Sequence, residues 1–493
     1  MSILLSNTII SVYFLMAGML ALYGLNCYVM IYLFHRGRVN AEKKTRSVEK
    51  LIGNPFINRN LPFVTTQIPI YNEYNVAERV IRAACKIKYP KGYHEIQILD
   101  DSTDETSALI DEVVSRLKKE GNDITIIRRS ERTGYKAGAL ANGLNYAKGE
   151  LTAIFDADFV PTEDYLQRIV PFFMADDRTG LVQARWGHLN RRKSLITRAQ
   201  SIGIDGHFAV EQAARNWNDL FMNFNGTAGV WRKQAIIDGG GWQWDTLTED
   251  MDLSYRAQFV GWHAIFLPDL VVQAEIPEDV NAFKSQQFRW AKGSIQTAKK
   301  LLPHIFRSKI PLFKKIEAVF HLTHYFVHPM MFTLALLALP TLLFFKTSFG
   351  PHVFTIIGIT LCITMFAPSA LYITSQKVSY SDWVRRIIFL PFLVVVGVGI
   401  AVSNTRAVFE ALIGTESEFI RTPKKGDSEI KTYKIKLPWS GVVEVLLGLY
   451  CCLSFGYYLV AGKYLVGPFL AIYASGFLFI GLLTLFHASG STR

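Results

Sequence analysis

Three acidic clusters and one basic, aromatic segment hold the side chains of this 493-residue chain whose types and spacing suit group transfer. IQILDDSTDET (96–106) carries the pair Asp100 and Asp101, LTAIFDADF (151–159) carries Asp156 and Asp158, and LTEDMDLSYRA (247–257) carries Glu249 and Asp250. Asp156 and Asp158 are hard oxygen ligands spaced to hold Mg²⁺ or Mn²⁺ against a diphosphate, since such ions keep waters and borrow ligands from substrate phosphates. Asp250 reads as a general base, because a sugar hydroxyl needs a positioned carboxylate to take its proton as it attacks. SQQFRWAKGS (285–294) adds Gln286, Arg289 and Trp290. Arg289 offers a planar fork of donors for a leaving diphosphate, and Trp290 a flat apolar face for a pyranose ring.

These groups need elements to bring them together. FVTTQIPIYNE (63–73), IQILD and LTAIF read as strands, and NVAERVIRAACKI as an amphipathic helix, so residues 47 to about 280 are expected to form an α/β domain. Carboxylates at the C-terminal ends of strands lie where open α/β sheets bind ligands. A single acidic strand end is an ordinary turn or helix cap. Two such ends, one of them a DxD, point to a site. Thr248 and Glu249 keep a second reading as first-turn helix residues favoured by the helix dipole.

Half of the residues are hydrophobic, with 34 Phe, 21 Tyr and 9 Trp, more than one soluble core requires. The net charge of +12 does not indicate nucleic acid: basic residues gather beside apolar segments, as in HRGRVNAEKKTR (35–46) and RTPKKG (421–426), the pattern of loops facing anionic lipid. The five cysteines lack metal spacing. Apolar runs at 9–34, 318–345, 352–374, 387–403, 440–460 and 464–487 are long enough to meet a membrane. The first is expected to be an uncleaved anchor, with residue 35 onward cytoplasmic. Six full spans are counted, with 387–414 dipping in and returning so that basic residues 418–426 stay cytoplasmic. His321, His324 and His328 share one helix face, but no acidic or thiol ligand joins them, so interfacial or channel-lining histidines are expected rather than zinc.

The ordered motifs IPIYNE, LDDSTD, GYKAGAL, FDADF, VQARW, FNGTAGVWR, TEDMDLSYRA and QQFRWAKG resemble the family 2 glycosyltransferases of the cellulose synthase and hyaluronan synthase kind, most of all cellulose-synthase-like A mannan synthases and their bacterial relatives. The resemblance spans about residues 62–300. It implies an α/β GT-A (Rossmann-like) cytoplasmic domain inserted in an α-helical multi-span membrane domain. It further implies that Tyr71, Glu73, Asp101, Lys136, Asp156, Asp158, Gln286 and Arg289 contact the nucleotide-sugar, that Asp156 and Asp158 hold the metal, and that Asp250 with Glu249 is catalytic. Asn225, Gly226, Thr227 and Trp290 would border the acceptor, although the glycine also fits a tight turn. EFIRTPKKG (418–426) is similar to a gating loop, with Phe419, Arg421, Thr422, Pro423 and Lys424 covering the donor; the competing reading is a lipid-binding basic patch.

The expected organisation is an anchor and basic linker (1–46), a glycosyltransferase domain (47–280), interfacial helices (281–315) and a transmembrane channel domain (316–493) with the gating-like loop at 415–427. The expected activity is inverting polymerisation of a nucleotide-sugar, GDP-mannose or UDP-glucose, into a β-1,4 mannan, glucomannan or glucan that leaves across the membrane. Partners are then the growing polysaccharide, membrane lipid and, allowed for, a second copy of the chain, with no nucleic acid. A bacterial plasma membrane is the first expectation and a Golgi membrane the second. Single transfer to a membrane lipid is the alternative enzyme. An inactive scaffold or nucleotide-sugar sensor is the non-enzymatic alternative, which the intact carboxylates disfavour.

Overall fold

The computed structural model describes residues 3–52, 61–344, 353–415 and 439–490. Eight strands form one mixed sheet: β1 (Val64–Ile70), β2 (His94–Asp100), β3 (Ile124–Ile127), β4 (Leu151–Ile154), β5 (Phe159–Val160), β6 (Thr179–His188), β7 (Gly229–Arg232) and β8 (His263–Ala274), in the order β3-β2-β1-β4-β7-β6-β8-β5. The first four are parallel to their neighbours in this half, whereas β7 runs antiparallel to both β4 and β6. Polar residues inside the central strand are paired rather than stranded: Thr65 Oγ1 donates to Glu95 Oε1 at 2.7 Å and Gln67 Nε2 to Gln97 Oε1 at 3.0 Å. Helix Thr106–Lys119 buries Ile110, Val113, Val114 and Leu117, a stripe at helical spacing that packs on the sheet.

Register sets the site. Ile70 pairs with Asp100, so Tyr71 and Asp101 leave adjacent strands side by side, and Asp101 N donates to Ile70 O at 3.0 Å. Gln67 pairs with Ile154, so β4 stops at Ile154 and Asp156 and Asp158 lie in the turn beyond it rather than within the strand. Because β7 returns antiparallel, with Gly229 opposite Ile154, the segment Asn225–Ala228 enters at the same edge.

Five helices are long and apolar enough to cross a membrane: within 4–48, 312–343, 355–379, 440–460 and 467–487. The count of six full spans is therefore one more than the described residues supply outside the bent pair Trp383–Gly399 and Ala401–Ile413. That pair bends by 45°, which redirects the chain without reversing it. Both its ends touch the catalytic side. Arg198 lies over the Phe389 ring at 4.8 Å, while Lys299 Nζ donates to Ala411 O and Leu412 O at 3.0 and 2.8 Å. The pair is thus either one bent span or a re-entrant segment.

The first helix, Ile3–Ile52, is about 75 Å long at 1.5 Å per residue, far more than the hydrocarbon needs. Its surplus docks on the α/β domain: Leu33 O accepts from Asn218 Nδ2 at 2.9 Å, and Phe34 stacks on Trp217. The expected domain edge at 46/47 falls inside this helix, and that at 315/316 inside helix Leu312–Thr323.

Candidate active site

A cleft of about 1260 Å³, open solvent included, lies at the C-terminal edge of β1, β2 and β4. Tyr71, Glu73, Asp101, Lys136, Asp156, Asp158, Asn225, Gly226, Glu249, Asp250, Gln286, Arg289 and Trp290 all line it. Residues from seven separate stretches of sequence thus meet in one space. Thr227 does not line it. It is fully buried behind the cleft, where its Oγ1 accepts from Asp156 N at 2.9 Å and so shapes the turn that carries the carboxylates. Phe419, Arg421, Thr422, Pro423 and Lys424 lie outside the described residues.

Lys136 is the hub of the floor. Its Nζ sits 2.5 Å from Asp156 Oδ1 and donates to Gly226 O at 2.8 Å. Burial pulls the lysine pKa down, but Asp156 and Glu249 outweigh it and carry the value above the usual one, so the residue is an ammonium. Gly226 has φ +81°, and a Cβ there would stand 3.0 Å from Asp250 Oδ2 and 3.3 Å from Lys136 Nζ. Only glycine lets this turn pass beside both groups.

Asp250 lies in the first turn of helix Glu249–Phe259, and Met251 N donates to its Oδ1 at 2.8 Å. Burial, then the adjacent Glu249 carboxylate, push its pKa up to about 7 against the pull of Lys136. A carboxylate poised near neutrality suits a proton acceptor. Helix Val280–Arg307 supplies Gln286, Arg289 and Trp290, at i, i+3 and i+4 on one face. Asp279 caps this helix by accepting from Asn281 N and Ala282 N at 2.7 and 3.0 Å. It also holds the segment before Asp250: Leu247 N donates to Gln296 Oε1 at 3.0 Å, and the Thr248 and Thr297 hydroxyls are 3.0 Å apart. Gly293 permits the approach, since a Cβ there would meet Thr248 Cγ2 at 2.6 Å.

Several residues in or beside the cleft escaped the reading of the sequence. Arg129 grips Asp101 through Nη2–Oδ2 at 2.5 Å and Nε–Oδ1 at 3.0 Å, and Arg132 lies on the Tyr71 ring. The arginine-rich run IIRRSERTGYK was the available signal. His188 lines the cleft with Nε2 3.0 Å from the buried Asp205, which also accepts from Gln376 Nε2 and Tyr380 OH at 3.0 Å each. No local spacing links those four positions. The histidine stripe holds no metal cluster among the described residues: the His321 Nδ1–Tyr255 OH distance is 2.7 Å, and His328 Nε2 lies 2.9 Å from Asn404 Nδ2.

Residues 62–293 match the model of the glycosyltransferase like family 2. The chain is 36% identical over 450 residues to probable glucomannan 4-beta-mannosyltransferase 10 of Arabidopsis thaliana, covering 85% of this chain and 77% of that protein. It is 35% identical over 448 residues to probable glucomannan 4-beta-mannosyltransferase 11 of the same plant, covering 86% and 97%. A solved mannosyltransferase of Pyrobaculum calidifontis, in complex with GDP-Man and Mn²⁺, superposes with a TM-score of 0.51 at 19% identity, covering 79% of this chain and 99% of its own. The mixed sheet is accordingly of the GT-A type, with long apolar helices flanking it. Fold, motifs and similarity over most of the chain agree, and this chain belongs to the family 2 glycosyltransferases of the cellulose synthase-like A type.

Proposed function

We propose that this enzyme is an integral membrane synthase that takes mannose from GDP-mannose, builds a β-1,4-linked mannan or glucomannan, and passes the polymer across the membrane, with its α/β domain on the cytoplasmic side. The observation that carries the reading is the meeting, in one cleft, of the DxD turn, Asp250 and the Gln286–Arg289–Trp290 face, on a chain similar over most of its length to glucomannan 4-beta-mannosyltransferases.

Donor and acceptor enter from opposite sides of Asp250. Asp250 takes the proton from the acceptor hydroxyl as that oxygen attacks the anomeric carbon from the face opposite the diphosphate, and an α-linked donor yields a β-linkage. Glu249 keeps Asp250 basic enough for this at neutral pH. Arg289 and Lys136 meet the negative charge that grows on the departing nucleoside diphosphate. Trp290 offers its ring to the acceptor sugar, beside Asn225 and Gly226. Asp156 and Asp158 fit a divalent ion: both face the cleft, and the Lys136 ammonium 2.5 Å from Asp156 marks the place as one that draws positive charge. Mg²⁺ or Mn²⁺ bound there would supply charge neutralisation for the diphosphate.

The full-length protein in nanodiscs, given GDP-mannose or UDP-glucose with Mn²⁺ or Mg²⁺, is expected to form from GDP-mannose a long product that yields 4-linked mannosyl residues on linkage analysis. In sealed vesicles that product should be shielded from an endomannanase on the side of the α/β domain. Transfer of one mannose to lipid, or use of UDP-glucose alone, would refute the proposal.

A further inference from the structure

Three arginines enter the loop before Lys136, and two are fully engaged. Arg128 binds Asp100 and Asp111, while Arg129 binds Asp101 and the carbonyls of Thr133 and Tyr135. Arg132 is different. Its guanidinium carbon lies 3.3 Å from the centroid of the Tyr71 ring and 4.9 Å from that of Tyr135, and among the described residues these ring contacts hold the side chain. Its Nε is buried without a hydrogen-bond partner, and among the described residues no carboxylate pairs with it. A half-buried cation whose guanidinium has no hydrogen-bond partner among the described residues, lining a ligand cleft, is held ready for a ligand acceptor.

Position decides which part of the ligand that is. The strand order β2-β1-β4 separates Tyr71 and Asp101, at the ends of β1 and β2, from the DxD turn after β4. Diphosphate and base occupy opposite ends of a nucleotide's ribose. With the diphosphate at the DxD turn and Arg289, Arg132 stands at the base end. The guanine edge presents two acceptors, O6 and N7, at the spacing of a guanidinium fork, whereas uracil has no such pair.

We propose that Arg132, laid flat on Tyr71, is the residue that selects a guanine nucleotide by donating to O6 and N7 of the base. This rests on the reading of the donor as GDP-mannose, and the experiment separates the two. GDP and UDP binding is measured by calorimetry on the full-length protein in nanodiscs, for the wild type, Arg132→Ala and Arg132→Lys. The wild type is expected to bind GDP at least about tenfold more tightly than UDP, and both variants to lose about tenfold or more for GDP while UDP changes less than about threefold. Lysine keeps the charge but not the fork, so it should behave as alanine does. A wild type that favours UDP overturns the donor reading and this proposal with it. A wild type that favours GDP, with a preference surviving Arg132→Ala, overturns the proposal alone. So does equal loss of both nucleotides in Arg132→Lys, which would make the residue a diphosphate contact or a structural one.

Discussion

Asp250→Asn should make the protein more stable as it makes it inactive. The carboxyl is raised from 3.8 to about 7 by burial and by Glu249, so ionising it costs more in the folded chain than in the unfolded one. At about 1.4 kcal/mol for each pKa unit, the full cost is about 4 kcal/mol. Asp250 keeps partial contact with the open cleft, where solvent screens the charges, so about 2 kcal/mol is the expected effect. Between pH 4 and 7 the folded state holds a proton that the unfolded state has lost, so wild-type stability falls as pH rises through this window and is level above it. Asparagine removes the dependence. Its advantage should be small near pH 4.5, grow with pH, and reach about 5 °C in unfolding temperature at pH 8. Intrinsic tryptophan fluorescence in detergent reads the unfolding, and transfer from GDP-mannose should drop by about 10²- to 10⁴-fold in the same preparation. A variant that is less stable at pH 8, or an advantage that does not change with pH, would refute the idea that Asp250 is held at a cost for its chemistry.

Two further outcomes test how the site is held. Gly293→Ala should lower kcat more than it raises KM and cost about 1–3 kcal/mol, because a methyl group 2.6 Å from Thr248 Cγ2 pushes helix Val280–Arg307 away from the segment bearing Asp250; unchanged kinetics would show that the close approach is dispensable. Lys284→Met alone should destabilise by about 3–5 kcal/mol, since Lys284 Nζ lies 2.6 Å from Glu444 Oε1 and its loss leaves a buried carboxylate unpaired. The double replacement Lys284→Met with Glu444→Leu should recover most of that in thermal unfolding, and failure to recover would mean the pair is not what joins these helices.

What the sequence made legible and what it hid divide along the range of the interactions. Strand ends were legible because IQILD and LTAIF are short apolar runs that stop on carboxylates, and parallel register then puts those ends on one edge. The face of Gln286, Arg289 and Trp290 was legible because helical spacing alone aligns it. Thr227 was misplaced in the wall because FNGTAG says that the chain turns but not which side chain turns inward. Arg132 was hidden for the same reason: Gly134 at φ +71° and Tyr135 at φ +50° fold its loop back over Tyr71, and no periodicity reports such a turn. His188, Asp205, Gln376 and Tyr380 form a network that only the packed helices create. Hydropathy alone does not separate a crossing from a re-entrant segment at 387–413: the described residues hold five helices long and apolar enough to span, or six if the bent pair counts as one.

Helix Val280–Arg307 explains why groups able to grip a sugar phosphate stand at the edge of the long apolar helices. One face turns Gln286, Arg289 and Trp290 into the cleft, and Gly293 and Gln296 hold the segment before Asp250. Other positions reach the apolar helices: Lys284 binds Glu444, Lys292 Nζ lies 2.9 Å from Glu410 Oε2, and the Ser294 hydroxyl donates to Leu322 O at 2.8 Å. A continuous helix cannot shift one of these faces without the other. Movement of the apolar helices by even a fraction of an ångström therefore reaches the base and the leaving-group contacts directly, with no loop between to absorb it. For the polymer-exporting synthase proposed above, such coupling would let each displacement of the product be felt at the site where the next sugar is added.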